Sequence, residues 1–246
     1  MESMTGSMTR GRFLAPWLLL AALTPLAASA SVSPRDETLR YRWRLDGLLG
    51  AIAGLFVPSG GDGELTLDRL PGGNLRSELT ITAPASAGGD YFRYGAEWEP
   101  TTGTTVRAWS SQLWRGEHKS KRAEIDDAGI IDVATAIHAL RRDPPTGPRS
   151  LEIWSDGKLY PVVVLPRGMV EREIDGRRLR ARHYAVRPVE TPGRRLWKGE
   201  MDLWLADDAA ATPVEIVVAR SSARVRLLLV ERVEAAGSTA REGELP

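Results

Sequence analysis

The sequence predicts a mainly β fold: a curved antiparallel meander, an open or partial barrel, with one main helix covering its concave face. Three observations predict it. Roughly a dozen short strand-like segments follow one another, separated by Gly, Pro, Asn and Asp. Two of the separators, Asp156-Gly157 and Asp175-Gly176, are the dipeptides that tight hairpins use. Only over 129–142 does the apolar period change from that of a strand to that of a helix.

The chain has 246 residues, 42% hydrophobic and 26% charged, enough for one domain with a sizeable core. Its first 30 residues are expected to stand outside that domain. Arg10 and Arg12 precede an almost wholly apolar run over 13–30, which closes on Ala28-Ser29-Ala30, a small-x-small cleavage pattern. This predicts a secretory signal peptide, cut after Ala30 with Ala28 and Ala30 as the recognised small residues. Met8 offers a tighter start for it than Met1. A membrane anchor is the weaker reading, because Pro16 and Pro25 interrupt a run too short to span comfortably. No stable transmembrane span is expected after cleavage.

The expected organisation is then a linker over 31–37, one β domain over 38–232 and a flexible tail over 233–246. Cysteine is absent, which closes the route to a lipid-anchored lipoprotein and leaves no disulfide staples. The expected location is the periplasm. Without residues 1–30, which carry Arg10, Arg12 and Glu2, the formal charge of +1 falls to zero. A neutral chain argues against nucleic acid as partner.

Taken in order, Leu39, Tyr41, Trp43 and Leu45 alternate with Arg40, Arg42 and Arg44, which predicts a half-buried strand. The apolar, Gly-punctuated stretch 47–61 reads either as core or as a lid or membrane-touching loop. A hairpin follows around Pro71-Gly72-Gly73-Asn74, then two strands around Pro100 and Gly103, then a charged edge strand over 118–125. In the helix, Ile130, Val133, Ala134, Ile137 and Leu140 share a face. Asp126 or Asp127 is the expected N-cap, Arg141 and Arg142 suit the C-terminal dipole, and Pro144-Pro145 ends it. Strands are then expected over 151–155, 159–166, 170–174, 177–189, 195–206, 214–220 and 224–230.

No catalytic constellation emerges. His118, His138 and His183 lack partners at metal-ligand spacing, no Gly-x-Ser-x-Gly elbow exists, and no Cys nucleophile is available. His138, beside an apolar helix face, reads as a packing residue. Asp207-Asp208 reads as a turn former rather than a Ca²⁺ site. Arg178, Arg180 and Arg182 share a strand face, either solvated or drawn to anionic lipid. Seven tryptophans follow residue 30, a number that suits a broad apolar cavity as well as a core.

An ordered set of motifs adds to this. Asp132-Val133-Ala134-Thr135-Ala136-Ile137 leads to Leu140-Arg141, then Gly147, then Asp156-Gly157-Lys158-Leu159-Tyr160. Leu203-Trp204-Leu205-Ala206-Asp207-Asp208 and Pro213-Val214-Glu215-Ile216 follow. Together they resemble the bacterial envelope family known as domain of unknown function 3108. The resemblance implies a curved sheet with a helix on its concave side, similar to periplasmic lipoprotein carriers, and brings no catalytic residues or cofactor.

The functional expectation is a non-enzymatic binding or carrier module of the cell envelope for an apolar or lipid-like ligand. Trp109, Trp114, Trp154 and Ile137 are the candidate lining residues, and a lipid or lipidated envelope component is the expected partner. The alternative is a structural or assembly factor with a filled core that binds a protein or polysaccharide. No metal and no cofactor are expected.

Overall fold

The computed structural model describes residues 36–46, 58–127, 129–174, 176–220 and 223–234. The expected signal peptide with its Ala28 and Ala30, most of the apolar 47–61 stretch and most of the expected tail lie outside these residues.

The described chain forms one sheet of thirteen strands and one α-helix. The first meander comprises β1 (Glu37–Asp46), β2 (Gly60–Arg69), β3 (Leu75–Thr82), β4 (Tyr91–Trp98), β5 (Thr105–Trp114) and β6 (Glu117–Glu124). After a short β7 (Ile130–Asp132) comes the helix α1 (Val133–Arg142). The second meander comprises β8 (Arg149–Ser155), β9 (Lys158–Ile174), β10 (Arg177–Pro188), β11 (Gly199–Ala206), β12 (Pro213–Arg220) and β13 (Ala223–Glu234).

The two meanders are joined where β1 pairs antiparallel with β13, so the first strand of the sheet lies in its middle. β6 and β7 are the two edges, with no ladder between them, so the barrel is open along this seam. Apolar packing brings the edges together instead. Ala96 and Ala108 of β4 and β5 meet Ile125, Ile130 and Trp154. Register shifts in four strand pairs supply bends that regular ladders lack.

Alternation decides which face of each strand turns inward. Leu39, Tyr41 and Trp43 are buried while Arg40, Arg42 and Arg44 are exposed, as their period of two requires. β9 runs unbroken where the sequence suggested two strands split near Pro166. Gly168, at φ 92°, lets the chain pass Arg167 as a bulge, so Pro166 pairs with Tyr184 and Gly168 with His183.

The helix starts at Val133 rather than 129. Ile130 and Ile131 instead lie in β7, parallel to β8 beside Glu152 and Ile153. Parallel neighbours need a crossover, and α1 is that crossover. Its N-cap is Asp132, not Asp126 or Asp127. The Asp132 carboxylate accepts the amides of Ala134 at 3.0 Å and Thr135 at 2.9 Å, while Asp127 accepts the amide of Gly129. Burial raises the Asp132 carboxyl against the opposing pull of those hydrogen bonds.

α1 seals one end of the barrel. Ile137 and Leu140 are 0% and 1% exposed in the main core, each contributing roughly 1.5–3 kcal/mol by burial. Thr135 Oγ1 lies 2.6 Å from Ser77 Oγ on β3. Arg141 grips Glu37 of β1 through both guanidinium nitrogens, at 2.6 and 3.1 Å, and Arg232 of β13 reaches the same carboxylate at 2.7 Å. His138 joins this network as the packing residue its position suggested. Its Nε2 lies 3.2 Å from the Thr66 carbonyl and its Nδ1 lies 3.2 Å from Arg141. A neutral ring with Nε2–H donating satisfies both contacts. Burial, with Arg141 alongside, pushes its pKa down to about 3.

Candidate functional site

Beyond α1 the core is hollow. A cavity of about 500 Å³ lies between the helix and the inner face of the sheet. That is within the range of roughly 300–1,000 Å³ usual for small-ligand sites. Val133, Ala136 and Leu140, spaced along one helix face, form part of its wall. Leu79 and Ile81 of β3, Val162 and Val164 of β9, Val186 of β10 and Met201 of β11 form much of the rest. The side chains of the described residues therefore do not wholly fill the core here.

The cavity reaches the end of the barrel opposite the Arg141–Glu37 network. There β1, β5, β8 and β12 finish and β2, β4, β9, β11 and β13 begin, and the lining residues Asp156 and Arg220 are exposed. Leu45 and Pro58, which flank the undescribed 47–57, also line it.

Aromatic side chains ring this mouth, and glycines make room for two of them. The Trp43 indole donates to the Thr82 carbonyl at 2.9 Å across Gly61. A Cβ on Gly61 would sit 2.7 Å from that indole nitrogen and 2.2 Å from the Thr82 carbonyl oxygen. Trp197 folds over Gly199, where a Cβ would come within 2.9 Å of the ring. Trp114 packs on Phe92 with ring centroids 5.8 Å apart, and Arg115 lies over its ring. Burial, with Asp156 and Tyr160 nearby, raises the Tyr94 phenol well above its ordinary pKa, so it stays neutral.

Of the four lining candidates read from sequence, the structure places Trp114 on the cavity wall. Trp109 points to the outer face, where it donates to Glu78 at 3.0 Å and lies under Arg76. Trp154 is 5% exposed but turns into the seam cluster, because its neighbours Ile153 and Ser155 take the inward positions. Ile137 lies in the core away from the lining, while Val133, Ala136 and Leu140 of the same helix face the cavity. Trp43, Trp197, Phe92, Tyr94 and Arg220 were not singled out. For Trp43, Phe92 and Tyr94 the signal was parity within a strand, and for Trp43 and Trp197 a glycine that a large ring could cover.

Other polar features are structurally occupied. His183 stacks on Trp204 at 4.5 Å and meets Asp202 at 2.9 Å. Arg172 lies over the Trp204 ring at 4.5 Å and binds the buried Glu215. Arg180 and Arg182 of the basic run approach Asp207, and Asp208 accepts from Ala210 and Thr212 as a turn former. His118 contacts Ser111. Among the described residues, no group of three or more His, Cys, Asp or Glu is arranged to hold a metal ion. A second hollow, of about 710 Å³, is a shallow groove along the seam. Trp154 and Ile130 line it together with Glu124, Asp126 and Asp127.

No known family matches the chain, so the resemblance to domain of unknown function 3108 gains no support, and no curated protein matches either. Solved structures of similar course were found. A beta-barrel-like protein of domain of unknown function DUF1849 from Brucella abortus shares 8% identity, covering 82% of this chain and 99% of its own, at a TM-score of 0.44. The hypothetical lipoprotein YmcC from Escherichia coli shares 10%, over 83% and 90%, at 0.36. The lipoprotein LppX from Mycobacterium tuberculosis shares 13%, over 78% and 84%, at 0.29. Among the described residues no helix is long and apolar enough to cross a membrane.

Proposed function

We propose that this chain is a non-enzymatic binding module of the cell envelope that holds an apolar or lipid-like molecule in the cavity between α1 and the sheet. The observation that carries the reading is a hollow of about 500 Å³ in a place where the same helix otherwise packs tightly. An empty apolar space of that size costs stability, since lost packing is worth ~24 cal/mol per Å³ of cavity. A chain that keeps such a space gains from filling it with a ligand. The expected export signal supports an extracytoplasmic, periplasmic setting.

The test is a titration of the purified chain with 1-dodecanol, followed by tryptophan fluorescence, alongside mass spectrometry of extracted lipid. Trp43, Trp114 and Trp197 line the cavity and are the expected reporters. Ala136→Phe directs a ring from α1 into the hollow. It is expected to abolish the fluorescence change while the urea midpoint stays level or rises. No copurified lipid together with no fluorescence response in the native chain refutes the reading.

A further inference from the structure

Most of the cavity lining is apolar, and its charged members are Asp90, Asp156 and Arg220. They are not equivalent. Asp90 accepts the amide of Arg115 at 3.0 Å and is 8% exposed. Asp156 makes the β8–β9 turn at φ 52°, on the seam side beside Tyr94 and Tyr160. Arg220 ends β12, with the parity of Ile216 and Val218, so its side chain leaves the sheet on the inner face. Its cross-strand partner is Gly199, over which Trp197 lies.

Arg220 has no ion-pair or hydrogen-bond partner among the described residues, nor has Lys198, which adjoins its cross-strand partner Gly199. The nearby acid Asp46 is already held by Arg44 and Arg226. The opposite end of the barrel is the reverse case, where Arg141 and Arg232 are both spent on Glu37. A guanidinium beside an apolar cavity and a tryptophan face, with no internal anion to satisfy it, fits an anionic group at the end of a chain.

Resting on the proposed binding reading, we infer that the ligand is a single-chain amphiphile with an anionic head, carboxylate or phosphate. The head pairs with Arg220 at the mouth and the chain runs inward toward α1. The apolar walls then cover the tail, and Lys198 adds attraction at the rim that salt screens.

The experiment compares four C12 chains on the full chain by calorimetry: dodecanoate, dodecyl phosphate, 1-dodecanol and dodecyltrimethylammonium. The two anions are expected to bind roughly tenfold or more tightly than the alcohol, as one charge-assisted contact allows. The cation is expected to bind weakest. Whichever of dodecanoate and dodecyl phosphate binds tighter identifies the head group. In Arg220→Gln the anions should fall to the affinity of the alcohol, while the alcohol itself is unaffected. Because Arg220 is exposed, circular dichroism of this variant should match the native chain; Arg220→Lys is expected to retain part of the preference. If the alcohol binds as well as the anions, or Arg220→Gln leaves their ratio unchanged, the inference is overturned and the binding reading survives. If no chain binds, both fall.

Discussion

The two ends of the barrel are built from the same strands and treat charge and space in opposite ways. At the base, α1 fills the opening, and the buried Glu37 carboxylate is held by the buried Arg141 side chain and by the more exposed Arg232. At the mouth the sheet leaves a hollow, and Arg220 stands without a partner among the described residues. A buried ion pair of this kind adds little net stability, yet removing one partner is costly. The base is thus committed to a single arrangement, and the mouth is left free to take an outside molecule. The difference locates stability at one end and the proposed binding at the other.

That division can be broken most sharply at Ile137, fully buried on the helix at the base. Ile137→Asp places a carboxylate in that core and is expected to cost more than ~4 kcal/mol. In urea denaturation the cooperative transition should vanish or move far toward zero denaturant. A variant that stays folded with only ligand retention altered would make α1 a lid and not a seal.

Acid sharpens the comparison next. The folded base keeps His138 neutral, with a pKa of about 3, whereas the unfolded chain takes up the proton near 6.5. Below 6.5 the unfolded state binds more protons, so stability falls as pH drops from 6.5 toward 3, by up to ~1.4 kcal/mol per unit. Asp132, with its raised carboxyl, works in the other direction. The quantity to measure is therefore the difference in unfolding free energy between the native chain and His138→Gln at pH 6.5 and 4.5. It is expected to narrow by roughly 2–3 kcal/mol in favour of the variant at the lower pH.

The smallest effect on stability is expected at the mouth. Trp114→Ala removes a half-buried ring beside a space that is already hollow, so thermal unfolding should register about 1 kcal/mol. Binding of 1-dodecanol, by contrast, should weaken about tenfold if the ring contributes wall area. An equal loss at both ends would dissolve the distinction between them.

How much of this was legible beforehand follows from the range of each signal. The meander, the β1 alternation and the single helix come from local periodicity, which a sequence carries openly. The helix start was misplaced because Ile130 fits the helical face and the β7 ladder equally well; the parallel partner in β8 decides it, and that contact is not local. Trp114 was singled out with Trp109, yet five residues apart on β5 they must point to opposite faces. Parity alone separates them, but naming the inner set requires knowing which face meets α1. Arg220 carried no local signal, since its meaning lies in the absence of a partner at a rim assembled from distant turns.

The pairing of β1 with β13 has a consequence for how the chain comes together in time. Each meander is made of hairpins whose partners are close in sequence, whereas the contact of Arg40 with Glu231 spans 191 residues. Closing a loop of that length rather than a turn of a few residues costs about 3 kcal/mol more in chain entropy. The two half-sheets are therefore expected to form early and separately, and their union to wait for the last strand to be delivered. Until then β1 and β12 each present a bare edge, and this is the interval in which the chain is most open to pairing with another copy of itself.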